Sequence, residues 1–443
     1  MTASFFQVTI WLAAGIAIII LLTAKYRVHA FFALLIACFV VGLGVQLPVA
    51  DVITAIKEGF GNIMKSLGFI IVLGTTLGVL LEHTGSTKVM AAAILQKVGE
   101  RRAPLAMSIT GFVVGLPIFC DSGYIVLSGL NRSLAKRTGI SVVVMAGSLA
   151  TGLYSVHCLI PPHPGATAAA ATIGVDFGKL ILMGIVVAIP ASVVGYLWAN
   201  HAGKKIPATA ADEETKVEAT SQLPSVVKAF LPVVVPVILI ALKSFLTMDQ
   251  PVVKGWRATF LCLGDPVIAL SIGVLLAFNC GRGWKKKTVG LLLQEGVEKA
   301  GGILVIIGAG GAFGAVLAAT RIGEHFSQAP ALDSLGILFP FLLTVVLKTA
   351  QGSSTVAIIT AASIVQPLLP ALGMATDKGR LLCVLAMGAG SMMISHANDA
   401  FFWVIAKFSG LEMRAMLKVY SVATLLMGLV SLLMVYILSF ALR

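Results

Sequence analysis

The chain alternates long apolar runs with short polar segments. Phe6–Thr23, Ala30–Val45, Ser66–Leu81, Phe177–Ala199, Val226–Thr247, Ala258–Cys280, Gly301–Ala319 and Tyr420–Leu442 are the clearest apolar runs. Each approaches the roughly 17–25 residues that cross a bilayer core as a helix. Backbone in lipid must satisfy its own hydrogen bonds, so these runs predict helices. Barrel strands are shorter and alternate in polarity, which excludes an outer-membrane barrel.

Other apolar stretches carry polar interruptions. Pro104–Arg137 is basic at both ends and has Cys120-Asp121-Ser122-Gly123 between two short apolar arms. Leu335–Leu369 repeats that form around Gln351–Thr355. Ile140–Thr172 is broken at Pro161-Pro162-His163-Pro164, and Arg380–Ser409 at Ser395–Asp399. The first and second forms predict re-entrant hairpins, and the last two predict broken helices.

The one long polar stretch, His201–Pro224, divides the chain nearly in half. Glu58-Gly59, Gly74-x-x-x-Gly78, Leu81 and Thr84 have counterparts in Glu295-Gly296, Gly310-x-x-x-Gly314, Leu317 and Thr320. Extending that offset lays His163 over Asp399. The predicted fold is therefore an all-α polytopic membrane protein of two inverted five-helix repeats, each with a re-entrant hairpin and a broken helix. Residues 1–200 form the first repeat, 201–224 a cytosolic linker, and 225–443 the second repeat. The first apolar run has no small-residue cleavage site, so it reads as a retained helix.

Composition agrees. Charged residues make up 12% of 443, against about 25% in soluble domains, too few to clothe a water-facing surface. The net charge of +13 does not indicate nucleic acid. Its basic residues cluster in short loops (Lys25/Arg27, Arg101/Arg102, Lys204/Lys205, Lys285–Lys287), the pattern of cytosolic loops. That places the linker inside and both termini outside, with ten spans and two hairpins. The basic segment Lys88–Arg102 reads as cytosolic. The six cysteines form no C-x-x-C pair and read as small core residues. No P-loop or H-E-x-x-H motif is present, which argues against an ATP-driven pump and a metalloprotease.

Paired interruptions in two halves point to a transporter site. The prolines around His163 remove amide donors and break the helix. The new helix expected from Gly165 offers a positive N-terminus to a carboxylate. Asp121, followed by Ser122 and Gly123, is either a helix cap or a proton carrier. Gly352, Ser353, Ser354 and Thr355 offer amides and hydroxyls to an anion at a helix start. Ser395 and Asn398 suit substrate contact. Asp399 and His157 join Asp121 and His163 as proton-coupling candidates, the alternative being an internal His–Asp pair. The four clusters contain neither Arg nor Lys, which favours a singly charged, hydroxyl-rich substrate over a di- or tricarboxylate.

These segments together resemble the gluconate permease family of proton symporters, within the ion-transporter superfamily. The resemblance rests on Leu116-Pro-Ile-Phe-Cys-Asp-Ser-Gly123, His157-Cys-Leu-Ile-Pro-Pro-His-Pro-Gly165, Ile307-Gly-Ala-Gly-Gly-Ala-Phe-Gly314, Gln351-Gly-Ser-Ser-Thr-Val-Ala357 and Ser395-His-Ala-Asn-Asp-Ala-Phe-Phe-Trp403. It implies a multi-pass inner-membrane transporter, with no cofactor, that imports gluconate or a related sugar acid with protons. It also implies a homodimer in which hairpins and broken helices form a moving domain. At least one family member handles D-serine. Where members commonly have Phe-Phe-Glu or Phe-Phe-Asp, this chain has Phe119-Cys120-Asp121, which alters the pocket and leaves gluconate itself open. A sodium-coupled carrier of a small organic anion or D-serine is the main alternative. A passive channel and an intramembrane hydrolase are remoter ones.

Overall fold

The computed structural model describes residues 5–206, 223–247, 261–281, 283–322 and 335–442. Among these every regular element is helical. Among the described residues seven helices are long and apolar enough to cross a membrane. Large apolar side chains such as Phe69, Leu275 and Phe440 lie exposed on the outer faces, as a lipid-facing surface requires.

The first half runs α1 (Phe5–Ile20), α2 (Ala30–Gly44), α3 (Val49–His83), α4 (Ser86–Val98), α5 (Ala103–Gly115), α6 (Cys120–Thr138), α7 (Val142–Leu159), α8 (Pro164–Ile173) and α9 (Phe177–Gly203). The second runs α10 (Val226–Thr247), α11 (Pro266–Phe278), α12 (Lys286–Ala319), α13 (Leu338–Gln351), α14 (Ser354–Val365), α15 (Asp377–Met392), α16 (Ala400–Ser409) and α17 (Met413–Ala441). The expected linker, 201–224, lies mostly outside the described residues.

Two sequence expectations need correction. The helices expected at Ser66 and Gly301 start at Val49 and Lys286, because charged residues on those early turns, such as Asp51 and Lys57, sit on an exposed face. The first hairpin's tip is Leu116–Phe119, so Cys120–Gly123 already forms the first turn of α6.

Packing repeats between halves. α5 packs on α7 as α13 does on α15, and α2 packs on α12 as α11 does on α3. The second hairpin arms cross over: α6 packs on α16, and α14 on α8. The long helices α3 and α12 make the most extensive pairing. Near one end Gly59 meets the backbone of Gly311. Near the other the Thr75 hydroxyl donates to the Gly296 carbonyl at 2.9 Å. The order of these contacts makes the two helices antiparallel. Gly59 and Gly296, matched in the sequence of the two halves, thus both lie at close approaches of this helix pair.

The Gly-x-x-x-Gly faces of the same helices turn toward the interrupted segments. Gly74 faces Pro162 and Gly78 the Pro117 carbonyl, while Gly310 and Gly314 face Ile359 and Ser363. The apolar stretch through α7 and α8 is almost entirely buried, which puts the broken helix at the centre of the molecule.

Candidate functional site

Four helices begin near one another in this centre. α6 starts beneath the Pro117 tip, with the extended Phe119 as its N-cap. α8 starts with Pro164 in its first turn, directly after His163, where a missing amide costs nothing. α14 starts after Gly352, whose φ of 81° ends α13 and turns the chain. α16 starts after Asp399. Several contacts bring these starts together. The Phe119 and His163 rings are 6.3 Å apart. Gly165 lies against the Cα of Thr355 and the Ile358 side chain. Gly352 lies against the backbone carbonyl of Asn398. The carboxylates of Asp121 and Asp399 are within electrostatic reach of each other.

The starts differ in how they are capped. Ser353 accepts from the Val356 amide and Asp399 from the Phe401 amide, so α14 and α16 cap themselves. α6 and α8 have no side-chain cap. Their first-turn amides, at the positive ends of helix dipoles, therefore remain for an anion.

The histidines are oriented from behind. His163, buried, has Nε2 2.6 Å from the Gly115 carbonyl at the end of α5. His157 packs edge-on to His163 at 4.9 Å and stacks on Tyr154 at 6.2 Å. Tyr154 donates to the Ser391 carbonyl and belongs to an aromatic cluster with Phe401 and Tyr420. Tyr124 on α6 hydrogen-bonds Ser409 on α16 at 2.6 Å. Aromatic packing thus ties the first half's hairpin to the second half's broken helix. Pro117, Phe119, Pro162, His163, Gly74 and Thr75 enclose a cavity with room for about one water.

The second interruption is organised around an ion pair. Lys348, fully buried on α13, donates from Nζ to the Gly352 carbonyl and to Asp399 Oδ2, both at 3.0 Å. The Ser395 hydroxyl donates to the same carboxylate oxygen at 2.5 Å. Asp399 therefore pairs with a lysine and not with a histidine. His396 reaches the Thr349 carbonyl instead. The expectation of a centre without Lys or Arg is corrected here. Lys348 lies just outside the Gln351 cluster in sequence and pairs into the Asp399 cluster in space. A lysine inside an apolar helix was the available signal. Its charge is absorbed by Asp399, so it adds no net positive charge.

The remaining candidates fall as follows. Ser354 is buried. Gly123 lies against Leu153, where a β-carbon would clash. Asn398 is exposed, and its amide donates to the Thr349 and Ala350 carbonyls at 2.8 and 3.3 Å. Ser122, Ser353 and Thr355 are half-buried. Several buried polar atoms close to these starts have no partner: Asp121 Oδ1, His157 Nδ1, and both amide atoms of Gln351. Unpaired polar atoms are rare in a core, and these four lie on residues of the interrupted segments.

Comparison with known proteins adds identity. A family model described as GntP family permease matches residues 7–441. The gluconate permease of Pseudomonas aeruginosa is 34% identical, covering 96% of each chain. The D-serine transporter DsdX of Escherichia coli O6:H1 is 31% identical, covering 97% of each. Among solved structures, Neisseria gonorrhoeae MtrF matches with a TM-score of 0.63 at 15% identity, over 88% of this chain and 84% of that one. That last likeness bears on fold alone.

Proposed function

Because the chain belongs to the GntP permease family, we propose that it imports gluconate or a related sugar acid across the inner membrane together with protons. Its fold is read as two inverted repeats, and the antiparallel α3–α12 pair supports that reading. The first-half helix starts take the substrate carboxylate. Gly165, Ser122 and the Asp121 region lie at those starts, and His163 borders them. The hydroxyls of Ser354 and Thr355, with the Gln351 amide, face the polyol portion.

One observation carries the proton reading. Of the two central aspartates, Asp399 has an ammonium partner and Asp121 has an oxygen with no partner. With neutral histidines, Lys348, Asp399 and Asp121 leave the centre one negative charge, which repels an anion. A proton on Asp121 removes that charge. Substrate anion and proton then bind favourably only together, which is the requirement for symport. His163 orients the substrate or relays the proton, and His157 stands behind it.

The glycine faces of α3 and α12 give the hairpins and broken helices a smooth surface. Those elements are read as a unit that carries the site between the two sides of the membrane, within a homodimer. Counterflow in proteoliposomes with sugar acids, hydroxy acids and D-serine tests the substrate assignment. Gluconate or a close sugar acid should exchange fastest. Exchange of D-serine alone would move the assignment to the amino-acid branch.

A further inference from the structure

The C-terminal end of a helix gathers carbonyl oxygens and a negative dipole, and such ends hold coupling cations in other carriers. In this protein the end of α13 is filled by nitrogen donors from the chain itself. Asn398 donates to the Thr349 and Ala350 carbonyls, and a His396 ring nitrogen lies at the former. The Lys348 ammonium is set between the Gly352 carbonyl and the Asp399 carboxylate, which also receives Ser395. A carbonyl, a carboxylate and an adjacent hydroxyl are the oxygen types that hold an alkali cation. Lys348 reaches them from only four residues before Gly352, so the charge is delivered on a tether. The first half has a related arrangement, with His163 on the Gly115 carbonyl.

We propose that the Lys348 ammonium is a resident cation occupying the position a coupling sodium ion would take, and that it fixes this carrier as sodium-independent. The assignment rests on the proton-coupled reading above and deepens it. Lys348 is a specificity residue for the coupling ion. Its removal leaves the Asp399 carboxylate and the Gly352 carbonyl as an oxygen-lined site for a monovalent cation.

The test needs no knowledge of the substrate. Binding of radioactive sodium and thermal unfolding are measured on the purified full-length protein in sodium chloride and in choline chloride. Wild type and Lys348→Arg should bind no displaceable sodium and unfold at the same temperature in both salts. Lys348→Ala should bind about tenfold more sodium than wild type and unfold at higher temperature in sodium than in choline, since a ligand of the folded state stabilises it by mass action. Lys348→Ala combined with Asp399→Asn should fold and respond to neither salt. Equal behaviour of Lys348→Ala in the two salts would overturn the proposal. So would its failure to fold even in sodium while the double variant folds. Sodium binding by wild type would overturn both this inference and the proton reading. Wild-type uptake indifferent to a pH gradient, with the sodium results as expected, would overturn the proton reading alone.

Discussion

Replacing Gly352 by alanine should damage the centre through two separable effects. Gly352 sits at φ 81°, where an L side chain is strained by about 1–2 kcal/mol. Its β-carbon would also lie 2.1 Å from the Asn398 carbonyl oxygen and 2.6 Å from the carbonyl carbon. Both are backbone atoms, so the hairpin tip must separate from the second interruption, at a further cost of about 1–3 kcal/mol. Gly139 isolates the first effect, having φ 69° and nothing within 4 Å of a built β-carbon. Gly68 isolates neither, being helical with open space around it, and alanine there should be neutral or stabilising by up to about 1 kcal/mol. Denaturant unfolding of the three purified variants should rank Gly352→Ala below Gly139→Ala, and Gly139→Ala below Gly68→Ala. Transport KM should rise only for Gly352→Ala. If Gly352→Ala is no less stable than Gly139→Ala, the packing of the tip on the Asn398 backbone is wrong.

Two other predictions address the site and the topology. Asn398→Ala removes donors to two exposed carbonyls at the end of α13 and should raise KM about 2–10-fold. Asn398→Asp should not restore it, because a carboxylate cannot donate to a carbonyl; normal KM in both variants would show that this contact does not shape the site. The proposed cytosolic linker predicts that a cysteine placed at Ala211 resists a membrane-impermeant thiol reagent applied to intact cells; ready labelling would reverse the topology.

Much of this organisation was legible because its causes are local. The prolines around His163 forbid a continuous helix, so the α7–α8 break could be read from three rings in four residues. Gly352 followed by Ser353 spells a helix end and a helix cap. What escaped depends on contacts between distant segments. Lys348 sits among apolar residues, and its meaning comes from Asp399 on another element. Asp399 stood behind Asp121 as a proton-carrier candidate, and only their partners in space, Lys348 for one and none for an oxygen of the other, separate the two. The ring cluster of Tyr124, Tyr154, Phe401 and Tyr420 joins both halves, and no spacing along the chain announces it. The early turns of α3 and α12 were missed because charged residues on one face interrupt the apolar count without interrupting the helix.

The central claim is that Asp121 carries the proton that accompanies the substrate anion. Asparagine retains the size of the aspartate but has no titratable group. In proteoliposomes with an imposed pH gradient, Asp121→Asn should fail to accumulate substrate while still exchanging labelled for unlabelled substrate at equilibrium. Accumulation against a gradient by Asp121→Asn, at a rate close to wild type, would contradict the account and place the coupling proton on another group.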